Sequence, residues 1–333
     1  MGVTDRVWQP LASVTRSVTI GRVALSSGSS LHPQIATPSR RVAVLLLLAT
    51  ALLWSSGGVL IKVTDWQPLS ILGGRSLLAA IVFVVYLKGW RFRINRWHLL
   101  GAGALLATQV LYITAMKMTT AANAIFLQYS APIYVMLLGI WWLGEQPDRA
   151  DWLSMGIIFA GMAFFFGDRL TIDGLIGSLL ALVSGITMAV SMVSLRALKD
   201  GAPAETLLLT YTAGALIGAP AMLGEAWTLP NVAMIGFLGI VQIGLAFICY
   251  AMAIRVVRAL EATLIVTLEP ILNPLWVFLA IGERPGPLAL VGGALVIGGV
   301  ALRAFVSTHE KRRGLAMSAE SVTLPIVRPG DRA

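Results

Sequence analysis

Ten apolar runs follow one another along the chain, at roughly residues 42–61, 68–87, 97–116, 121–143, 151–167, 174–195, 203–223, 232–254, 259–281 and 286–305. Each approaches the ~20 residues that a helix needs to cross a ~30 Å hydrocarbon layer at 1.5 Å per residue. The runs are too long and too uniformly apolar for barrel strands, and lipid satisfies no exposed backbone group, so helices are the form left to them. The connections are short and often marked by proline (Pro68, Pro147, Pro203, Pro230, Pro285), with no room for a soluble domain. The pattern predicts an all-α polytopic membrane protein with ten transmembrane helices.

Composition agrees with a lipid solvent. Of 333 residues, 57% are hydrophobic and 12% charged, with a mean hydropathy of +0.82. Soluble domains carry about 25% charged residues, so this chain is too poor in charge to coat itself against water. A net charge of +9 would suggest nucleic acid in a soluble protein. Here the cations lie between apolar runs, so membrane orientation explains them and no nucleic-acid partner is expected. With both ends in the cytosol, twenty Lys and Arg fall inside and only Lys62, Lys117, Arg169 and Arg284 outside, while Arg75 lies within a span. This bias predicts an even number of spans and two cytoplasmic termini. Residues 1–40 are rich in Ser, Thr and Arg, have Asp5 as their only acid, and lack a spanning segment. They read as a disordered cytoplasmic tail with a faint likeness to a transit peptide, and residues 306–333 as a second disordered tail.

The chain also repeats itself. A shift of 138 residues lays Tyr112–Phe164 on Tyr250–Leu302 without a gap, with twelve identities in 53 positions. They include Tyr112 with Tyr250, Pro132 with Pro270, Gly144 with Gly282, Glu145 with Glu283, Pro147 with Pro285, and Gly161 with Gly299. Shared apolarity does not align LGEQP (143–147) with IGERP (281–285), so duplication is the reading. Five spans per half is odd, and the second half then enters the membrane the other way up. The expected architecture is two inverted five-helix repeats, residues 41–167 and 173–305, meeting near the bilayer midplane. Inverted repeats of this kind support alternating access.

The segment LLWSSGGVLIK (52–62), the arginine in PLSILGGRSLLAA (68–80), the repeated proline-to-GE(Q/R)P pattern and the 5 + 5 layout together resemble the EamA family of the drug/metabolite transporter superfamily. The resemblance covers about residues 42–305. It implies a ten-helix secondary carrier of the bacterial inner membrane. Helices 1–4 and 6–9 would surround a central cavity, and helices 5 and 10 would be peripheral. It implies small metabolites such as amino acids and their derivatives as substrates, with export common. The halves also differ. Trp54 has no tryptophan counterpart in 174–197, and nothing like Arg75 stands in 203–223, so a site built on these residues is asymmetric.

Candidate chemistry rests on the few polar groups inside the spans. Glu269 lies mid-span in TLIVTLEPILNPLW, about 15 Å from either end. An ionised carboxylate facing lipid there would cost several kcal/mol, so it must face a partner, face water or carry a proton. That makes it the candidate proton-coupling residue, set against a permanently protonated packing glutamate. Asn273 lies four residues on, over the same face. Pro270 and Pro274 remove backbone donors and free carbonyls to line a cavity. Arg75, about 10 Å into its span, can clamp a substrate carboxylate bidentately, unless it snorkels or pairs within the protein. Trp54, Gln109, Tyr112, Gln128, Tyr129, Tyr134, Gln242 and Tyr250 are further groups that can complete a cavity. Of these, Trp54, Gln109, Tyr112 and Gln128 join Arg75, Glu269 and Asn273 as candidate substrate-binding residues. Each also has an ordinary structural reading as an interface anchor or interhelical bond. Glu145 and Glu283 end equivalent helices on opposite faces, either as caps or as gates that re-pair between states.

Several functions are disfavoured. The lone Cys249 and the scattered His32, His98 and His309 offer no metal centre, no cofactor is implied, and no clustered nucleophile or acid–base pair suggests an enzyme. The reading is a membrane transporter of a small organic solute, acting as a monomer or homodimer in the lipid bilayer. The rivals are a membrane-embedded enzyme and a channel without alternating access.

Overall fold

The computed structural model describes residues 38–87, 94–144, 146–164, 172–197, 203–254, 256–257, 262 and 265–322. Ten principal helices run through these residues: α1 (Arg40–Val63), α2 (Pro68–Tyr86), α3 (Arg96–Met118), α4 (Ala121–Trp142), α5 (Arg149–Phe164), α6 (Ile172–Ala197), α7 (Pro203–Met222), α8 (Leu229–Ala253), α9 (Leu268–Ile281) and α10 (Pro287–Val322). Among the described residues, α1, α2, α3, α4, α8 and the Gly174–Leu195 part of α6 are long and apolar enough to cross a membrane. The apolar part of α9 and the Pro287–Leu302 part of α10 are shorter.

Local chemistry explains the boundaries. Ser39 caps α1 by accepting from the Val42 N–H, and Pro68 opens α2, where a missing N–H costs nothing. Asn95 and His98 form a reciprocal capping box at the start of α3. Gly144 and Gly282, partners in the sequence repeat, both take left-handed conformations, with φ of 66° and 71°. They end the helical stretches of α4 and α9 in the same way, in a conformation that a Cβ would strain.

Two helices are irregular. α4 breaks at Tyr129–Ser130, just before Pro132, and ends in a π-helical turn at Gly139–Leu143. α8 carries a nine-residue π-helical stretch at Phe237–Leu245. Such stretches recur at functional positions. In α9, Pro270 falls in the first turn, so it removes no helical hydrogen bond, whereas Pro274 lies inside the helix. Helix α10 continues to Val322, well past the expected boundary at 305. Residues 306–322 contain no proline, and the Ala, Glu, Lys and Arg among them are good helix formers. The N-terminal tail through residue 37, the last eleven residues and Glu145 lie outside the described residues.

The packing has a regular form. α2 packs on α7, α5 on α10, α4 on α9, α3 on α6 and α1 on α8, with α1 also on α9 and α4 on α6, α2 on α8 and α3 on α7. Exchanging each helix n with n + 5 maps this set onto itself. Three crossings map onto themselves, α2–α7, α4–α9 and α5–α10, and the first and last of these are lined by glycine. A Cβ on Gly73 would lie 2.7 Å from the Gly218 carbonyl carbon, and one on Gly161 2.8 Å from the Gly292 carbonyl oxygen. Small residues let backbones approach where lipid supplies no hydrophobic drive between helices.

Candidate functional site

Five helices bring polar side chains to one level of the bundle. Taken from the end that carries Lys62 and Glu283, Arg75 lies about 10 Å along α2, Tyr129 about 12 Å along α4, Gln109 about 14 Å along α3 and Glu269 about 18 Å along α9. That is the middle of a ~30 Å hydrocarbon layer.

Arg75 is buried, at 3% exposure. Its guanidinium donates to the Gln109 Oε1, and the Gln109 amide donates to the Tyr211 hydroxyl at 3.2 Å. Among the described residues no carboxylate pairs with it, and its Nε has no hydrogen-bond partner. Arg75 thus neither reaches the surface nor pairs with a carboxylate among the described residues, and its partner within the protein is the neutral Gln109. Tyr211 stacks on Phe83 at 5.6 Å between ring centroids, which holds the hydroxyl toward Gln109.

Glu269 accepts from the Tyr129 hydroxyl at 2.9 Å. Asn273, one turn along α9 and 1% exposed, donates to the Tyr112 hydroxyl at 3.4 Å. Tyr112 lies within electrostatic range of both Glu269 and Arg75. The level therefore holds one guanidinium and one carboxyl group, each hydrogen-bonded to neutral side chains and not ion-paired with the other. Unpaired charges at this depth are expensive, and a ligand is one way to offset that cost.

Five of the seven candidate substrate-binding residues thus fall near one level, in three hydrogen-bonded groups: Arg75 with Gln109 and Tyr211, Glu269 with Tyr129, and Asn273 with Tyr112. Gln128 turns away and donates to Ser184 of α6 at 3.3 Å. Trp54 packs its ring on Phe247 and Tyr250 of α8, with centroids 5.1 Å and 5.5 Å away. Its carbonyl accepts from Gln242 at 3.4 Å. Tyr211 was not singled out, although a lone tyrosine in LLLTYTAGALIG is a visible signal of the same kind as Tyr112.

Glu283 lies at one end of the bundle and pairs with Lys62 at 2.5 Å, a residue read from sequence only as an outside cation. Lys62 also donates to the Thr119 carbonyl at 2.7 Å, and the second Glu283 oxygen accepts from the Ala121 N–H at 2.7 Å. Lys117 donates to the Thr64 carbonyl. This cluster ties the ends of α1, α3 and α9 to the start of α4. At the far end of α3, His98 meets Glu205 of α7 at 3.1 Å. Among the described residues no group of three or more His, Cys, Asp or Glu is placed to hold a metal ion.

The EamA-like transporter family model matches residues 41–167 and again residues 175–305. A transporter of Archaeoglobus fulgidus is 25% identical over 291 residues, covering 78% of this chain and 96% of its own length. A probable terminal-alkyne amino-acid exporter of Streptantibioticus cattleyicolor is 28% identical over 210 residues, 61% of this chain and 71% of its own. The transporter YxxF of Bacillus subtilis is 22% identical over 303 residues, 85% and 94% of the two chains. A solved crystal structure shares the fold with a TM-score of 0.58 at 22% identity, over 81% of this chain and 99% of that one. With two family matches spanning most of its length, this chain is a member of the EamA-like transporter family, a multi-pass membrane transporter rather than an enzyme.

Proposed function

We propose that this protein is a proton-coupled secondary carrier that exports a small amino-acid-like solute across a bacterial inner membrane by alternating access. The observation that carries this reading is the mid-depth level that brings together Arg75, buried, and Glu269, half-buried and hydrogen-bonded to Tyr129, neither with an ionic partner among the described residues. Arg75 takes the substrate carboxylate in its planar fork, and Gln109 and Tyr211 hold the guanidinium in place. Glu269 is the proton-coupling residue. Tyr129 keeps it hydrogen-bonded in either protonation state, because a hydroxyl donates to a carboxylate and accepts from a carboxyl.

Residues 41–167 and 173–305 form two inverted five-helix repeats, and both chain ends lie in the cytosol. The exchange-symmetric helix packing and the twenty-to-four bias of cations support this arrangement. In this orientation the Lys62–Glu283 cluster faces outside and seals the entrance there, so the described conformation is closed to the exterior. Glu283 acts as an outer gate and Glu145, its repeat partner, as the inner one. The amino-acid export named for the Streptantibioticus cattleyicolor relative favours the same substrate class.

The test is transport by purified protein in proteoliposomes. Glu269→Gln should abolish accumulation driven by a proton gradient while sparing solute exchange. Normal gradient-driven accumulation by that variant would reject the coupling role. Flux that never saturates would favour a channel, and a covalently altered product an enzyme.

A further inference from the structure

Beside the Arg75–Glu269 level lies a group of hydrogen-bond acceptors without donors. The side chains of Asn273 and Gln242 rest on two consecutive glycines of α1. A Cβ on Gly57 would lie 2.8 Å from the Gln242 Nε2, and one on Gly58 2.7 Å from the Asn273 Cγ. Any larger residue at either position would displace an amide. The Asn273 Oδ1 and the Gln242 Oε1 are both buried and both unpartnered. The NH2 groups of the two amides are already used, on the Tyr112 hydroxyl and the Trp54 carbonyl. The orientation of Asn273 is chemically consistent. Its oxygen faces the Gly58 methylene, which suits a C–H···O contact, whereas a flipped NH2 would press protons on protons.

One further feature adds an acceptor. Pro274 has no N–H to return to the Pro270 carbonyl, which is freed one turn before it. Gln242 itself lies within the π-helical stretch of α8. Glu269 stands one turn from Asn273 on the same face of α9. Unmade hydrogen bonds on buried oxygens cost about 1–3 kcal/mol each, so this group is built for a ligand that brings donors.

We propose that the amide oxygens of Asn273 and Gln242, whose side chains rest on Gly58 and Gly57, bind the primary ammonium group of the transported solute and select for it. This rests on the reading of Arg75 as the carboxylate site and adds the other end of the substrate. A bare alkali cation meets the same oxygens less well, because hard cations of this size require about six oxygen ligands. Two amide oxygens and a freed carbonyl match the three protons of an ammonium. Tyr112 is hydrogen-bonded to Asn273 and lies within electrostatic range of Arg75.

The experiment compares matched ligands on the purified full chain in detergent, by ligand-induced thermal shift. The probes are a series of α-amino acids, their α-hydroxy-acid counterparts and their N-acetyl derivatives, each in sodium and in choline buffer. Amino acids should bind at least tenfold more tightly than their hydroxy or N-acetyl counterparts, equally in both buffers. Gln242→Leu and Asn273→Leu, similar in size but without acceptors, should lower amino-acid affinity about tenfold to a hundredfold and erase the preference for amino over hydroxy acids. A cooperative melting transition without ligand and a monodisperse elution profile show that each variant is folded. Equal binding of amino and hydroxy acids by the wild type would overturn the ammonium assignment while leaving the carboxylate reading intact. A shift that needs sodium and ignores the amine would reassign the oxygens to an inorganic cation. Failure of all these acids to bind would defeat the carboxylate reading itself.

Discussion

Removing the Glu283 carboxylate should open the bundle end that it closes. Lys62 and Glu283 are 12% and 21% exposed, so their pair is partly shielded rather than solvent-screened. One Glu283 oxygen faces Lys62 and the other takes the Ala121 N–H at the start of α4. Hydrogen bonds to charged groups are worth about 1.5–3 kcal/mol, and an anion at a helix N-terminus typically 0.3–1 kcal/mol. Glu283→Gln keeps an acceptor for Ala121 and loses the charge, a cost of about 1 kcal/mol. Glu283→Ala loses both contacts, a cost of about 3 kcal/mol. Every 1.4 kcal/mol is a factor of about ten in a two-state equilibrium, so the outward-open fraction should rise about fivefold in the first variant and over a hundredfold in the second. The reporter is Val59→Cys, one turn inward of Lys62 and partly buried against the core, in a Cys249→Ala background that removes the native thiol. A membrane-impermeant maleimide added outside should label it in the order wild type, Glu283→Gln, Glu283→Ala. Lys62→Ala should add little once Glu283 is Ala. Identical labelling rates in all variants would refute the sealing role.

Other outcomes follow from the same geometry. Arg75→Leu should abolish binding of carboxylate solutes yet leave the melting temperature in detergent unchanged or raised, because it removes an unpaired buried charge. Arg75→Lys should weaken binding about tenfold or more by losing the planar fork, read as a change in KM. Gly73→Ala should destabilise the protein by about 1–3 kcal/mol, visible as a lower melting temperature, because the new Cβ meets Gly218 backbone rather than a side chain that can rotate away. Tags at Met1 and Ala333 should both be protected from external protease in intact cells, and exposure of one alone would break the inverted-repeat topology.

Much of the fold was readable because lipid imposes lengths. Most apolar runs matched helices to within a few residues, although the 259–281 run carries a helix from Leu268 and the 286–305 run one that reaches Val322, and the repeated GE(Q/R)P marks the two helix ends at Gly144 and Gly282. Arg75 and Glu269 stood out because a lone charge in a span is costly wherever it faces. Their partners did not stand out. The Tyr129–Glu269 bond joins residues 140 apart, and Lys62–Glu283 residues 221 apart. Such pairings depend on how each helix is rotated. In a span, lipid-facing and core-facing positions are both apolar, so the periodicity that reports rotation in a soluble helix is faint. Gln128 illustrates this: it neighbours Tyr129 in sequence, yet it faces Ser184 while Tyr129 faces Glu269. The π-helical stretches and the extension of α10 to Val322 left no mark on hydropathy, because backbone register does not change composition.

The central claim is that the buried charges serve a carrier that exposes one site alternately to each side. Counterflow tests it most directly. Proteoliposomes preloaded with an unlabelled amino acid that shifts the thermal stability of the protein are diluted into a trace of the labelled compound. The account predicts a transient overshoot of label inside, saturating with internal solute and absent in Arg75→Leu. Label that only equilibrates, with no overshoot at any loading, would contradict it.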